Sequence, residues 1–320
     1  MEVVIINSTG PMGSTVIGSI IEKFDYINIP LRKLELHEYL VGQREFNDPF
    51  FMDRFMQVLD QHSIKRKSGG VSVKDRNSSP ARQLIDKEKV QEYLSKNNNK
   101  LSTIADLYDT VRNAYYYGLK YKKAGDYLDS HIEYTTDIVK FEMNDLIKAY
   151  NIEFDKVFMI NLHRDFIGWL ESLFSQRFIH PKFKTRYFFV FHSAFNQYTE
   201  YQKKVADLPG MHVDFNELFL PNTYKLINEI SEYIGRPVPN ISWESEEFDL
   251  YGKLSDFHKT FNQADTSNSY ISSITRFIIK KIISKDKISL IDDILVYGLY
   301  LIESFRFQIK YGNLRKNLER

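Results

Sequence analysis

The sequence predicts an α/β protein, with a mostly parallel sheet flanked by helices, on three observations. Val3-Val4-Ile5-Ile6 and Val157-Phe158-Met159-Ile160 are continuous apolar runs, the pattern of strands buried on both faces of a parallel sheet. Each run ends in a polar or small-residue turn and is followed by apolar residues at helical spacing, the alternation expected of such folds. Finally, 320 residues with 43% hydrophobic content suffice for the core of one large domain, read here as spanning 1–320.

Taken in order, the chain opens with the first strand, and Val16–Phe24 is the first helix. Tyr26–Ile29 is a short second strand, and apolar spacings of three and four put helices over Leu34–Val41 and Pro49–Leu59. Residues 60–82 hold six basic and two acidic side chains among Ser, Asn, Gly and Pro, which reads as a mobile basic loop able to act as a lid over an anion. Amphipathic helices follow over Ile85–Ser95 and the Tyr-rich Leu101–Tyr121. Ile132–Tyr134 and Ile138–Phe141 are short strands, and a helix runs near Glu142–Tyr150. The strand Lys156–Leu162 ends in His163-Arg164-Asp165 and leads into a helix over Phe166–Phe178. Phe183–Val205 is a long aromatic helix, Gly210–Leu218 a strand with a polar end, and Thr223–Ile234 a helix stopped by Gly235-Arg236-Pro237. Residues 236–267 read as irregular. Ser269–Ser284 and Leu290–Tyr311 form a helical C-terminal extension over 268–320.

Charge and composition narrow the function. The 43 basic and 42 acidic residues nearly cancel, so no global field draws the chain to nucleic acid or membrane, and any basic site is local. The absence of cysteine excludes disulfides, thiolate metal sites and a cysteine nucleophile. No His, Asp or Glu cluster has convincing metal-ligand spacing. No apolar run approaches the ~20 residues needed to span a bilayer, and no leader pattern precedes the first strand. A cytoplasmic protein is the expectation.

Two segments carry candidate chemistry. The first is the loop Gly10-Pro11-Met12-Gly13-Ser14-Thr15. A helix start has unpaired N–H groups at the positive end of its dipole, so strand, small-residue loop and helix together make an anion site. The glycines allow close approach, and Ser14 and Thr15 add hydroxyls. Ser8 and Ser14 stand where a Walker A motif requires Gly and Lys, which argues against a nucleoside triphosphatase. The second segment is Arg164 with Ser172. Ligands in parallel sheets lie beyond the carboxyl ends of the strands. A guanidinium there, with a hydroxyl two turns into the next helix, makes a second phosphate grip.

In order and spacing these features resemble the sulfotransferase superfamily, in the bacterial type that uses 3′-phosphoadenosine 5′-phosphosulfate (PAPS). The family's N-terminal strand–loop–helix corresponds to residues 3–24, its Arg-Asp with a Ser eight residues after the Arg to Arg164-Asp165 and Ser172, and its aromatic-Glu-Asp-Leu phrase to Asp214-Phe215-Asn216-Glu217-Leu218. The resemblance covers residues 1–235. It implies a three-layer P-loop-like fold and transfer of a sulfuryl group from PAPS to a hydroxyl or amine of a carbohydrate or small metabolite, with no metal. It further implies that the loop 10–15 holds the 5′-phosphosulfate, that Arg164 and Ser172 hold the 3′-phosphate, and that Phe215 belongs to the donor site. The family's base lies after the first helix, where Glu38 and His37 stand; Glu142 and His62 are outside choices. The family carries a Lys or Arg in the first loop, and this chain has none there. Lys140, Lys65, Arg66 and Lys67 are candidates to supply that charge. Two other readings accompany this one: a catalytically inactive nucleotide-binding protein on the same fold, and another phosphate-binding P-loop-like enzyme. The C-terminal helices either form a homodimer interface or cover the sheet.

Overall fold

The computed structural model describes residues 2–9, 12–24, 26–28, 37–40, 42, 53, 55–56, 86–97, 103–118, 130–135, 143–179, 190–218, 222–243, 247–248, 252–253, 271–285 and 288–318. Strand β1 (Glu2–Asn7) leads into helix α1 (Ser14–Glu22) and the short β2 (Ile27–Asn28). Helices α2 (His37–Leu40), α3 (Lys87–Asn97) and α4 (Ile104–Gly118) precede β3 (Ser130–Thr135). Helix α5 (Met143–Glu153) then joins β3 to β4 (Lys156–His163). After α6 (Phe166–Ile179) and α7 (Val190–Ala206) come β5 (Met211–Asp214), a 3₁₀ turn (Phe215–Leu218) and α8 (Asn222–Ile234). A strand pair, β6 (Glu247–Phe248) and β7 (Gly252–Lys253), precedes α9 (Ser273–Ile283) and α10 (Leu290–Leu318).

The main sheet has the order β2-β3-β1-β4-β5 and is parallel throughout, so the predicted α/β class holds. Parallel neighbours require crossover connections, which the helices supply. Val3, Val4, Ile5 and Ile6 of β1 are all fully buried, because a central strand in this layout is covered on both faces. Val16, Ile17, Ile20 and Ile21 give α1 its buried face.

At the carboxyl end of the sheet polar groups enter the core. Asn7 and Asn161 face each other in register and are completely buried; Asn7 Nδ2 donates to Asn161 Oδ1 at 2.8 Å. Asn161 Nδ2 in turn donates to the Pro209 carbonyl at 3.1 Å. The Tyr201 hydroxyl lies 2.8 Å from the Asn7 carbonyl oxygen and 2.9 Å from that of Leu162. Helix α7 is thereby fastened across the ends of β1 and β4, and burial pushes the Tyr201 phenol well above its ordinary range.

Several elements differ from expectation. The strand expected over Gly210–Leu218 stops at Asp214. There Asp214 Oδ1 accepts from Asn216 N at 2.8 Å and Glu217 Oε2 from Asp214 N at 2.7 Å, and such local side-chain bonds draw the backbone into a turn. The stretch 236–267, expected to be irregular, contains the antiparallel pair β6–β7, whose two-residue strands are too short to show a period. The last helix runs to Leu318, past the expected Tyr311. The strand expected at Ile138–Phe141, the basic loop 60–82, most of Pro49–Leu59 and the start of the helix expected from Phe183 lie outside the described residues. Among the described residues no helix is long and apolar enough to cross a membrane.

The C-terminal helices are joined by polar contacts. Glu303, buried on α10, accepts from Ser272 N at 2.9 Å, from the Ser272 hydroxyl at 2.5 Å and from the Thr275 hydroxyl at 2.6 Å. Burial pushes this carboxyl up, and the hydrogen bonds outweigh it, leaving it below its ordinary value. At the start of α10, Asp292 Oδ2 accepts from Ser289 N at 2.8 Å, and Ser289 Oγ accepts from Asp292 N at 3.3 Å, a reciprocal cap. Lys285 also bonds Asp292.

The bond from Lys285, with those from Ser289, lowers the Asp292 carboxyl from 3.8 to about 2. A carboxyl depressed on folding contributes stability above its unfolded pKa, and that contribution is lost as pH falls through the folded value. Denaturant midpoints measured between pH 4 and pH 2 are therefore expected to fall, and to fall less steeply in Asp292→Asn. An identical slope in the variant would remove Asp292 from the account.

Candidate functional site

Three segments meet at the carboxyl end of the sheet: the turn after β1, the start of α6 after β4, and the turn after β5. Gly13 caps α1 in the left-handed region, with φ 87°, and its carbonyl accepts from Val16 N at 2.9 Å and Ile17 N at 3.1 Å. Gly13 itself offers no side-chain cap. The first N–H groups of α1 lie at the positive end of its dipole.

Just before this turn the Ser8 and Thr9 hydroxyls are buried and have no hydrogen-bond partner among the described residues. Buried hydroxyls without partners are uncommon and call for an explanation. Ser14, the first residue of α1, is also buried. Met12 is completely buried, so its thioether packs in the core and what it can offer an anion is main chain. Thr15 lies in the first turn of α1. Gly10 and Pro11 are outside the described residues.

Arg164 lies directly after β4, and its guanidinium carbon sits 3.6 Å from the centre of the Phe215 ring. A cation over an aromatic face is attracted to the ring quadrupole, which holds the guanidinium against the ring. Phe215 also touches the first turn: a Cβ added at Gly13 would lie 3.1 Å from Phe215 Cδ2 and 2.4 Å from Leu218 Cδ1. One ring thus adjoins both the start of α1 and Arg164.

The start of α6 has its own construction. Asp165 caps the helix, accepting from Gly168 N at 2.8 Å through its carboxylate and from Trp169 N at 2.9 Å through its carbonyl. Arg164 runs close over Gly168, where an added Cβ would come within 3.3 Å of its Nε and 2.6 Å of Asp165 Oδ2. Trp169 Nε1 donates to the Thr9 carbonyl at 2.8 Å, tying α6 to the turn after β1. Ser172, one turn further along α6, is half-buried.

Tyr198 on α7 donates to the Arg164 carbonyl at 2.6 Å. Burial pushes its phenol up to about 12, with the Asp165 and Asp214 carboxylates adding to the shift, so Tyr198 stays a neutral donor at physiological pH. His163 does not face this site. Its Nε2 lies 2.8 Å from His212 Nδ1 and its Nδ1 3.2 Å from Gln202 Oε1, which gives it a structural place between β4, β5 and α7.

The structure therefore brings together the α1 start, Arg164 and Phe215, with Ser172 on the same helix that Arg164 precedes. Glu38 and His37 fall in α2, which packs against α5. Lys140, Lys65, Arg66, Lys67, Glu142 and His62 lie outside the described residues. Gly168, Trp169, Tyr198 and the buried hydroxyls of Ser8 and Thr9 were not singled out as site residues from sequence. Gly168 alone left a trace, as a poor helix former in the first turn of a helix. Among the described residues no group of three or more His, Asp or Glu side chains is placed to hold a metal ion.

No family model matches the chain, and no curated protein matches it in sequence. Among solved structures it is similar to the sulfotransferase domain from the olefin synthase of Synechococcus PCC 7002. The identity is 13% and the TM-score 0.42, over 74% of this chain and 74% of that one. At that distance the likeness assigns no residue a role.

Gly13 is expected to resist substitution twice over, since its φ is left-handed and a Cβ would collide with Leu218. Gly13→Ala should lower unfolding stability by about 1–3 kcal/mol, as strained or overpacked sites do. Equilibrium urea denaturation measures this, and a change under about 0.5 kcal/mol, the range of ordinary surface substitutions, would show that the turn relaxes freely.

Proposed function

We propose that the chain is a PAPS-dependent sulfotransferase acting on a hydroxyl or amine of a carbohydrate or small metabolite. One observation supports the reading: Phe215 adjoins both the start of α1 and the Arg164 guanidinium. Two elements of different kinds that could each hold an anion thus adjoin one aromatic ring, as suits a ligand with two separated phosphate groups.

The residues present fit such a donor. The buried, unpartnered hydroxyls of Ser8 and Thr9 are donors awaiting an acceptor, and the main-chain N–H groups at the start of α1 would hold the 5′-phosphosulfate together with Ser14 and Thr15. Arg164 and Ser172 would hold the 3′-phosphate, the guanidinium resting against Phe215 and close to Gly168. When bound, the donor supplies a sulfuryl group on a phosphate leaving group. Glu38, or His37 beside it, would take the proton of the acceptor as its oxygen or nitrogen attacks. The chain otherwise contributes orientation and neutralisation of developing charge.

A second reading is supported by the sequence of the first loop, which has no Lys or Arg between Asn7 and Thr15. A protein that binds the nucleotide without transferring sulfuryl would keep Arg164 and Ser172 and lack that charge. In the active reading Lys140, or Lys65, Arg66 or Lys67, supplies it.

Calorimetric titration with 3′,5′-adenosine bisphosphate tests the donor site. Wild type is expected to bind at micromolar concentration, and Arg164→Ala to lose about 1.5–3 kcal/mol, the worth of a charged hydrogen bond. Absence of binding to wild type would end the donor assignment. Sulfate transfer from labelled PAPS across an acceptor panel then separates the active reading from the inactive one.

A further inference from the structure

We propose that the chain pairs with a second copy of itself through α10, the two helices lying antiparallel about a two-fold axis beside Gly298. One face of α10 is used within the molecule: Val296, Leu299 and Tyr300 are buried, Asp293 Oδ1 accepts from His192 N at 2.9 Å, and Glu303 holds Ser272 and Thr275. Another face is apolar and exposed. Ile291 is 76% exposed, Ile302 63% and Phe305 65%, with Ile294, Leu295 and Leu301 near one half. Exposed faces of surface helices are ordinarily polar, and a contiguous apolar patch of this size marks an interaction surface.

The occupant is indicated by the symmetry of the stripe. Leu295 and Leu301 stand three residues either side of Gly298, Ile294 and Ile302 four, and Ile291 and Phe305 seven, while Ile309, 71% exposed, extends the stripe beyond this mirrored part. A two-fold axis beside position 298 places each residue against its mirror in the other copy, as an isologous interface requires. Leucine then meets leucine, isoleucine meets isoleucine, and Gly298 meets itself.

Among the described residues no packing contact requires a glycine at 298. A Cβ added there meets nothing within 4 Å, and glycine is a poor choice for a helix interior. At a helix crossing its lack of a side chain lets the two backbones approach, since interaxial distance follows the side chains at the contact.

Charge agrees. No charged residue occurs from Ile294 to Ile302, so the centre of the pairing holds no charge, and Asp293 and Glu303 bond within the molecule. A helix lying on a lipid surface carries a Lys- and Arg-rich polar face, whereas the inward polar groups here are the carboxylates Asp293 and Glu303.

Sedimentation velocity on the full chain is expected to show a species of twice 37.9 kDa, and Ile302→Glu to shift it to the single mass with an unchanged far-UV circular dichroism spectrum. The chain contains no cysteine, so introduced ones report geometry cleanly. Gly298→Cys is expected to oxidise to a covalent dimer by itself. Leu295→Cys and Leu301→Cys should cross-link when mixed and not separately. A single mass at every concentration overturns the pairing, as does a dimer that survives Ile302→Glu. Self-linking of Leu295→Cys as readily as Gly298→Cys overturns the axis. Flotation of a single-mass protein with phosphatidylcholine vesicles would give the face to lipid instead.

Discussion

The buried pairing of Asn7 with Asn161 is the constraint on which the functional end of the molecule depends. Two amides with no access to water must bond to each other or leave donors unsatisfied, at a cost of about 1–3 kcal/mol for each group. Satisfying them fixes the register of β1 against β4, and Tyr201 then closes over the last carbonyls of both strands. A one-residue slip would turn every side chain of the strand to the opposite face. Register at this point therefore decides where Ser8, Thr9 and Arg164 emerge.

Beyond the sheet, the site is assembled by contacts between segments distant in sequence. Trp169 draws α6 to the turn after β1 through the Thr9 carbonyl, and Tyr198 holds the Arg164 carbonyl. Phe215 then lies between the left-handed Gly13 and the Arg164 guanidinium. Together they set an arginine on an aromatic ring beside the start of α1.

The C-terminal hairpin inverts the usual arrangement of a surface helix. Its inward face is partly polar, with Glu303 and Asp293 satisfied by Ser272, Thr275 and the main chain of His192. Apolar residues lie outward. Within one copy this leaves hydrophobic surface in water without benefit, which the proposed pairing of copies would bury.

The sequence by itself determined the class of fold and singled out Gly13, Arg164 and Phe215, but not their assembly. Val3–Ile6 and the run after Lys156 are strands because only burial on both faces suits continuous apolar residues. The spacing of Arg164 and Ser172, and the small residues around Gly13, were legible for the same local reason. Tertiary structure decided the rest. That Phe215 begins a turn just after β5 and sets its ring against Arg164 depends on Asp214 and Glu217 bonding the backbone locally. The tie of Trp169 to Thr9 spans 160 residues, and the pairing of Asn7 with Asn161 spans 154. Periodicity reports which face of an element is buried, whereas such contacts depend on which elements become neighbours, and no local pattern carries that information.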